Sequence, residues 1–257
     1  MPIPVIDGHA HLHDFDDPEP VVRRAVESGV ARIVSVGMDL ESNRRSMALA
    51  DRFPAVVLPA VGYHPWSVRA DQVEETLAEI RRLLPRCVAL AEVGLDYRVK
   101  VNKELQRQVF RRVLESAAQL DKPVIVHSRF SHQRCLSMVR EAGVRRAVFH
   151  WYSGPLDVLE EILAAGYYVS ATPALAMHTK HRPAMERAPL DRILVETDAP
   201  VAYQGRPAEP AHVWITLKAL AALKDRSVEE TARRTTRNAE IFFGLRPRDE
   251  ASSCDCP

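Results

Sequence analysis

No apolar run in this 257-residue chain is long enough to span a bilayer. The opening Met1-Pro2-Ile3-Pro4 carries no basic stretch ahead of an apolar one, so no secretory leader is expected. Cysteine is scarce. Of the four, Cys87 and Cys135 are isolated, while Cys254 and Cys256 lie in a short polar terminus, which excludes a disulfide framework. Excess charge is also missing. The formal net charge is +1, so the chain is not built to hold polyanions by bulk electrostatics, and a nucleic-acid substrate would need local basic groups or a bound metal. There is no internal repeat, low-complexity block or linker. These absences point to a cytoplasmic, monomeric protein with no membrane association and no evident protein partner.

What is present suffices for a sizeable core, since 46% of the residues are hydrophobic. Short apolar, β-branched runs recur at 4–7, 32–37, 56–62, 87–92, 123–127, 147–150, 167–171 and 193–196. Runs such as Val124-Ile125-Val126 are apolar on both faces, as parallel strands covered by helices must be. Helical patterns lie between them. One starts at Pro18 and stops before Gly29; others cover 72–84, 103–120, 133–142 and 155–165. After the eighth strand come a helix over 212–223 and a last one opened by the capping-box spacing Ser227-Val228-Glu229-Glu230. Strand and helix alternating eight times read as an α/β protein, a (β/α)8 TIM barrel with an extra C-terminal helix, occupying residues 1–247 as one domain and followed by a polar tail over 248–257. A doubly wound open sheet is the alternative, weakened because no Gly-rich phosphate fingerprint follows the first strand. The stretch 177–189 is the least regular and reads as a short helix or loop.

Active sites of such barrels lie at the C-terminal strand ends, and those ends are where this chain keeps its ligand-type residues. The first strand runs into His9 and His11, which share a strand face at i and i+2. The fourth ends in Glu92, the fifth in His127, the sixth in His150, and the eighth runs into Glu196-Thr197-Asp198. Gathered at one mouth, this set can hold two divalent ions, with His9, His11 and Asp198 on one, His127 and His150 on the other, and Glu92 bridging. Two ions about 3.5–4 Å apart activate a water and stabilise the attacking and leaving oxygens of a phosphoryl displacement. Asp198 can accept the proton of that water. Imidazole-rich ligation suits Zn or Mn, and also Fe or Ni, better than Mg, although availability also decides which ion is loaded.

The segments Asp7-Gly8-His9-Ala10-His11, Gly62-Tyr63-His64-Pro65, Ala91-Glu92-Val93-Gly94-Leu95-Asp96-Tyr97, Pro123-Val124-Ile125-Val126-His127-Ser128-Arg129, His150-Trp151-Tyr152-Ser153-Gly154 and Glu196-Thr197-Asp198-Ala199-Pro200, in this order, resemble the TatD family of metal-dependent deoxyribonucleases, a branch of the amidohydrolase-like barrels. Thr236-Arg237-Asn238 with Phe242-Phe243-Gly244 is similar to that family's last helix, so the resemblance covers nearly the whole chain. It implies metal-ligand roles for His9, His11, Glu92, His127, His150 and Asp198, hydrolysis of DNA phosphodiesters, and a 3′-to-5′ exonuclease acting on single-strand ends. Two places depart from the pattern. Phe130 stands where an acidic residue often follows His-Ser-Arg, and the loop 98–102 lacks a second aromatic. Both bear on substrate choice, not on the ligands.

Around this set, Asp7 is expected to orient a ligand histidine and Asp96 to hold the loop after the fourth strand. His64 contacts substrate phosphate or satisfies a backbone group. Arg129 shares the face of His127 if the strand continues, placing it to clamp a phosphate. Trp151 and Tyr152 either stack a base or pack. Arg98, Lys100, Lys103, His178, Lys180, His181 and Arg182 are candidates for basic rims, His13 reads as a surface histidine, and Met177 and Met185 as packing residues. The competing function is an amide, ester or lactone hydrolase on the same metals; many related barrels bridge their ions with a modified lysine at the end of the fourth strand, where this chain has Glu92. A structural-metal or scaffold protein is disfavoured because the site contains no cysteine.

Overall fold

The computed structural model describes residues 3–246; the Cys254/Cys256 tail lies outside them. Eight parallel strands follow one another around a single sheet in sequence order. They are β1 (Val5–Ala10), β2 (Val30–Val36), β3 (Val57–Val61), β4 (Ala89–Asp96), β5 (Val124–Arg129), β6 (Ala147–Phe149), β7 (Tyr168–Ala171) and β8 (Ile193–Val195). The sheet closes where Ala10 pairs with Ala199. At that seam His11 N–H donates to the Ala199 carbonyl at 2.6 Å, and Asp198 N–H to the His9 carbonyl at 2.9 Å. The result is the expected (β/α)8 barrel. No described helix is long and apolar enough to cross a membrane.

The outer helices are α1 (Pro18–Glu27), α2 (Leu40–Arg52), α3 (Val73–Leu83), α4 (Lys103–Gln119), α5 (His132–Glu141), α6 (Leu156–Ala164), the short α7 (Ala174–Met177) and α8 (Arg182–Arg187), α9 (Val213–Leu223) and α10 (Val228–Phe243). The sequence reading did not single out α2. Its start is written in Asp39 and Ser42, which form a reciprocal cap in which Ser42 N–H donates to Asp39 Oδ1 and Asp39 N–H to Ser42 Oγ. The irregular stretch after β7 resolves into α7, a 3-10 turn and α8, with Met185 buried and Met177 packed against the core.

The core has two layers. Between strands and helices lie residues such as Ile33, Leu90, Val126 and Phe149. Inside the barrel, Ile6, Val34, Ala89, Ile125, Val148, Tyr168 and Leu194 form a second cluster, which α10 closes from below with Ala239, Phe242 and Phe243. That plug confines the polar groups to the opposite end.

Two glycines let β4 sit close enough to its neighbours to deliver a side chain there. A Cβ on Gly62 would stand 2.4 Å from the Ala91 carbonyl carbon, and one on Gly94, whose φ is +152°, would lie 2.0 Å from the His127 carbonyl oxygen. Strand β4 also slips register against β5 between Leu90 and Val93. Ala91 therefore belongs to the interior cluster while its neighbour Glu92 lines the cavity at the mouth.

Candidate metal centre

At the C-terminal strand ends a cavity of about 630 Å³ is lined by His11, His64, Glu92, His127, His150 and Asp198, with Trp66, Arg129, Trp151 and Lys180 farther out. Glu92 is its centre. Oε2 faces His9 Nε2 at 3.4 Å and His11 Nε2 at 3.6 Å. Oε1 faces His127 Nδ1 at 2.8 Å, His150 Nε2 at 3.1 Å and His64 Nε2 at 3.4 Å. Asp198 Oδ1 completes the first group, 3.4 Å from both His9 Nε2 and His11 Nε2. The two oxygens of Glu92 thus face different imidazoles, His9 and His11 on one side and His64, His127 and His150 on the other.

Hydrogen bonds behind the rings decide which nitrogens carry lone pairs into the site. His127 Nε2 meets Asp96 Oδ2 at 3.2 Å and His150 Nδ1 meets Glu196 Oε1 at 3.0 Å. A carboxylate accepts only, and both nitrogens of each ring face one, so each ring can donate on both sides; a cation bound on the Glu92 side would replace that proton while Asp96 and Glu196 keep the other. His64 differs. Its Nδ1 accepts the Trp66 backbone N–H at 3.2 Å, so its Nε2 carries a proton and donates toward Glu92 Oε1 at 3.4 Å. The donor set of imidazole and carboxylate suits a divalent transition ion. His9, His11 and Glu92 bring one ligand atom each within 4.8 Å of one another, as do His9, His150 and Asp198, and His64, Glu92 and His127. The residues present fit a divalent metal ion.

The electrostatics follow from this crowding. Burial opposes the charged form of Glu92, but the imidazoles of His64 and His150 and the hydrogen bond with His127 hold its carboxyl well below the ordinary range. His150 is buried too, yet Glu92 and Glu196 lift it well above an ordinary imidazole. Burial likewise opposes a raised His127, and Asp96 and Glu92 outweigh it. His64 goes the other way, down to about 4, because burial outweighs its attraction to Glu92. Asp198 lies low through His11, His150 and His9, against the cost of burial. Trp151 and Asp198, which both line the cavity, adopt positive φ of 44° and 54° without being glycine, a strain found where side chains must be aimed.

Several expectations need correcting. Asp7 does meet a ligand-type histidine, but through the His9 backbone N–H, which donates to Oδ1 at 3.4 Å, and not through its ring. Its Oδ1 accepts from Thr197 N–H at 2.9 Å and its Oδ2 from Thr197 Oγ at 2.6 Å, so it braces the residue before Asp198 across the barrel seam. Asp96 does more than hold a loop, since it fixes His127. His13 is buried, its ring 5.6 Å from that of His11. Tyr152 packs, with its hydroxyl donating to the Pro155 carbonyl. Trp151 lines the cavity but is wedged among His150, His181 and Tyr203. Of the basic residues, Lys180 and His181 reach the cavity, whereas Lys103 lies over the Tyr97 ring. Strand β5 does continue to Arg129, which is exposed at the mouth, and its guanidinium has no hydrogen-bond or salt-bridge partner among the described residues. Sequence reasoning missed Glu196 and Trp66. Glu196 stood in view two residues beyond Leu194, and strand alternation alone points it inward.

A family profile described as TatD related DNase matches residues 6–244. The metal-dependent hydrolase YabD of Bacillus subtilis is 32% identical over 94% of this chain and 99% of its own length. The human deoxyribonuclease TATDN3 is 32% identical over 93% of this chain and 94% of its own. A protein of Erwinia tasmaniensis named 3′-5′ ssDNA/RNA exonuclease TatD is 31% identical over 89% and 94%. Among solved structures, the Escherichia coli TatD homologue YjjV superposes with a TM-score of 0.85 at 28% identity, covering 94% of this chain and 98% of that one.

Proposed function

The chain belongs to the TatD related DNase family, and on that premise we propose that it hydrolyses phosphodiester bonds at the ends of DNA strands, as a 3′-to-5′ exonuclease using two divalent ions. The observation that carries the two-ion reading is the division made by Glu92, whose Oε2 faces His9 and His11 and whose Oε1 faces His127 and His150. The direction of attack follows the activity for which the Erwinia relative is named.

In this reading His9, His11, Asp198, His127, His150 and Glu92 would hold the ions, the first three toward one and the next two toward the other, with Glu92 serving both; Zn, Mn or Mg would suit the set. When bound, such ions supply Lewis-acid charge to a phosphoryl oxygen and make water a stronger acid. The remaining work falls to the chain. Asp96 and Glu196 keep the rings of His127 and His150 in the tautomers that offer lone pairs. Asp198, held ionised by the surrounding imidazoles, accepts the proton of the attacking water. His64, neutral at the cavity wall, faces Glu92 Oε1 through Nε2 at 3.4 Å and steadies that carboxylate. Arg129 offers its free fork to a phosphate at the rim. The apolar lining from Met38, Pro200 and Val201 limits bulk water around these groups, which strengthens each of them.

The test uses the metal-loaded chain with 3′- and 5′-labelled single- and double-stranded oligonucleotides. Stepwise loss of 3′ nucleotides that stops with chelator and returns with added ion is the expected result. Chelator-resistant cleavage would overturn the reading. So would faster turnover of a panel of amides, esters and lactones than of any oligonucleotide.

A further inference from the structure

Trp66 follows His64-Pro65 on the loop after β3, and none of the roles above uses it. Its side chain is placed unusually firmly for a residue that is 51% exposed. The indole N–H donates to Asp96 Oδ2 at 2.6 Å, the same oxygen that His127 Nε2 reaches at 3.2 Å. The ring also stands perpendicular to His64, centroids 4.9 Å apart, and 6.0 Å from His127. These contacts hold the indole at the cavity wall while half of its surface stays open. One carboxylate oxygen therefore positions both an imidazole of the metal centre and an aromatic plate at its mouth.

The other aromatics nearby do not offer this combination. Trp151 is wedged among three rings and its Nε1 is buried. Tyr152 is only 2% exposed. Phe130 is exposed but stands outside the residues that line the cavity. Across from Trp66's anchor, β4 and β5 pair Asp96 with Arg129, so the residue that fixes the plate is the strand neighbour of the free guanidinium.

We infer that Trp66 is the platform on which the terminal base of the substrate strand stacks, with Asp96 as its positioning residue, so that the adjoining phosphate reaches Arg129 and the Glu92 cluster. The inference rests on the nuclease reading and adds to it a recognition rule. The enzyme senses that a base is present at the end, by its π face, without reading which base it is. A stacked base contributes enough affinity for a preference of about 5- to 150-fold over an end that lacks one.

The experiment compares kcat/KM of the metal-loaded enzyme on two single-stranded oligonucleotides, identical except that the terminal nucleotide at the cleaved end carries a base or is abasic. Wild type prefers the base-bearing end within that range. Trp66→Leu fills the apolar space without a π face, and the ratio collapses toward one; Trp66→Phe keeps a face and most of the ratio. Indole fluorescence in the presence of chelator gives a second readout, in which the base-ended oligonucleotide quenches wild type and the quench is lost in Trp66→Leu. A wild type that does not discriminate, or a Trp66→Leu variant that loses rate equally on both substrates and keeps the ratio, overturns the inference while leaving the nuclease reading intact. No cleavage of either oligonucleotide by wild type overturns both.

Discussion

On β5, Ile125 and His127 are two residues apart and project to the same side, yet Ile125 joins Ala89, Val148 and Tyr168 in the apolar interior while His127 meets Glu92 and Asp96. The same pairing recurs as Val148 with His150 just past the end of β6, and as Leu194 with Glu196 just past the end of β8. One end of each strand feeds a plug completed by Phe242 and Phe243; the other feeds a cluster of imidazoles and carboxylates. The plug is self-sufficient, because apolar burial needs no partner of a particular charge. The cluster is not. Buried titratable groups cost stability unless each finds an opposite charge or a hydrogen bond, and here they find mainly one another and room for cations. The contrast assigns stability to the α10 end of the barrel and chemistry to the mouth.

That division can be attacked from both sides. The largest effect is expected at the plug, where Phe242→Ala should remove about 3–5 kcal/mol of unfolding free energy in chemical denaturation while the folded fraction keeps its turnover; a parallel collapse of turnover would break the contrast. At the mouth, Glu92→Gln should lower turnover by about 10²–10³-fold, roughly 3–4 kcal/mol of barrier, and reduce the bound metal measured by elemental analysis. Its chelated form should unfold close to wild type, and a loss of stability like that of Phe242→Ala would contradict the assignment. Asp96→Asn sharpens the picture within the mouth. Titration should show metal affinity weakened about 10–100-fold, because an amide that donates toward His127 Nε2 no longer enforces its tautomer.

The smallest effect is in acid. His64 and His181 are each pushed by burial from the ordinary 6.5 down to about 4. Between those values the unfolded chain binds more protons than the folded one, so stability should fall as pH drops from 6.5 toward 4. His181→Gln should flatten part of that slope in thermal melts, with Phe242→Ala leaving the slope as it is; a slope indifferent to His181 would remove that residue from the account.

The eight strands and most helices were legible because burial on both faces forces continuous apolar runs, and helix burial forces a 3.6-residue period. Helix α2 was passed over because Asn43 and Ser46, buried on its inner face, interrupt the apolar stripe; Asn43 is spent on both backbone groups of Gly62. The six ligand-type residues could be read because barrel strands run parallel and expose their C-terminal ends together. The partners behind them could not. Asp96, Glu196 and Trp66 become meaningful only through distances of 3.2, 3.0 and 2.6 Å to groups 31, 46 and 30 residues away, and Asp7 gained a second partner in Thr197, 190 residues on.

By itself, then, the order of residues determined the barrel, its open end and the kinds of atoms gathered there, since each follows from local periodicity and the polarity of parallel strands. Which ring nitrogen keeps its proton, which oxygen of Glu92 serves which histidines, and which tryptophan stays open at the mouth were decided only by the tertiary structure. Those outcomes depend on ångström-scale contacts across the closed sheet, which no spacing along the chain encodes.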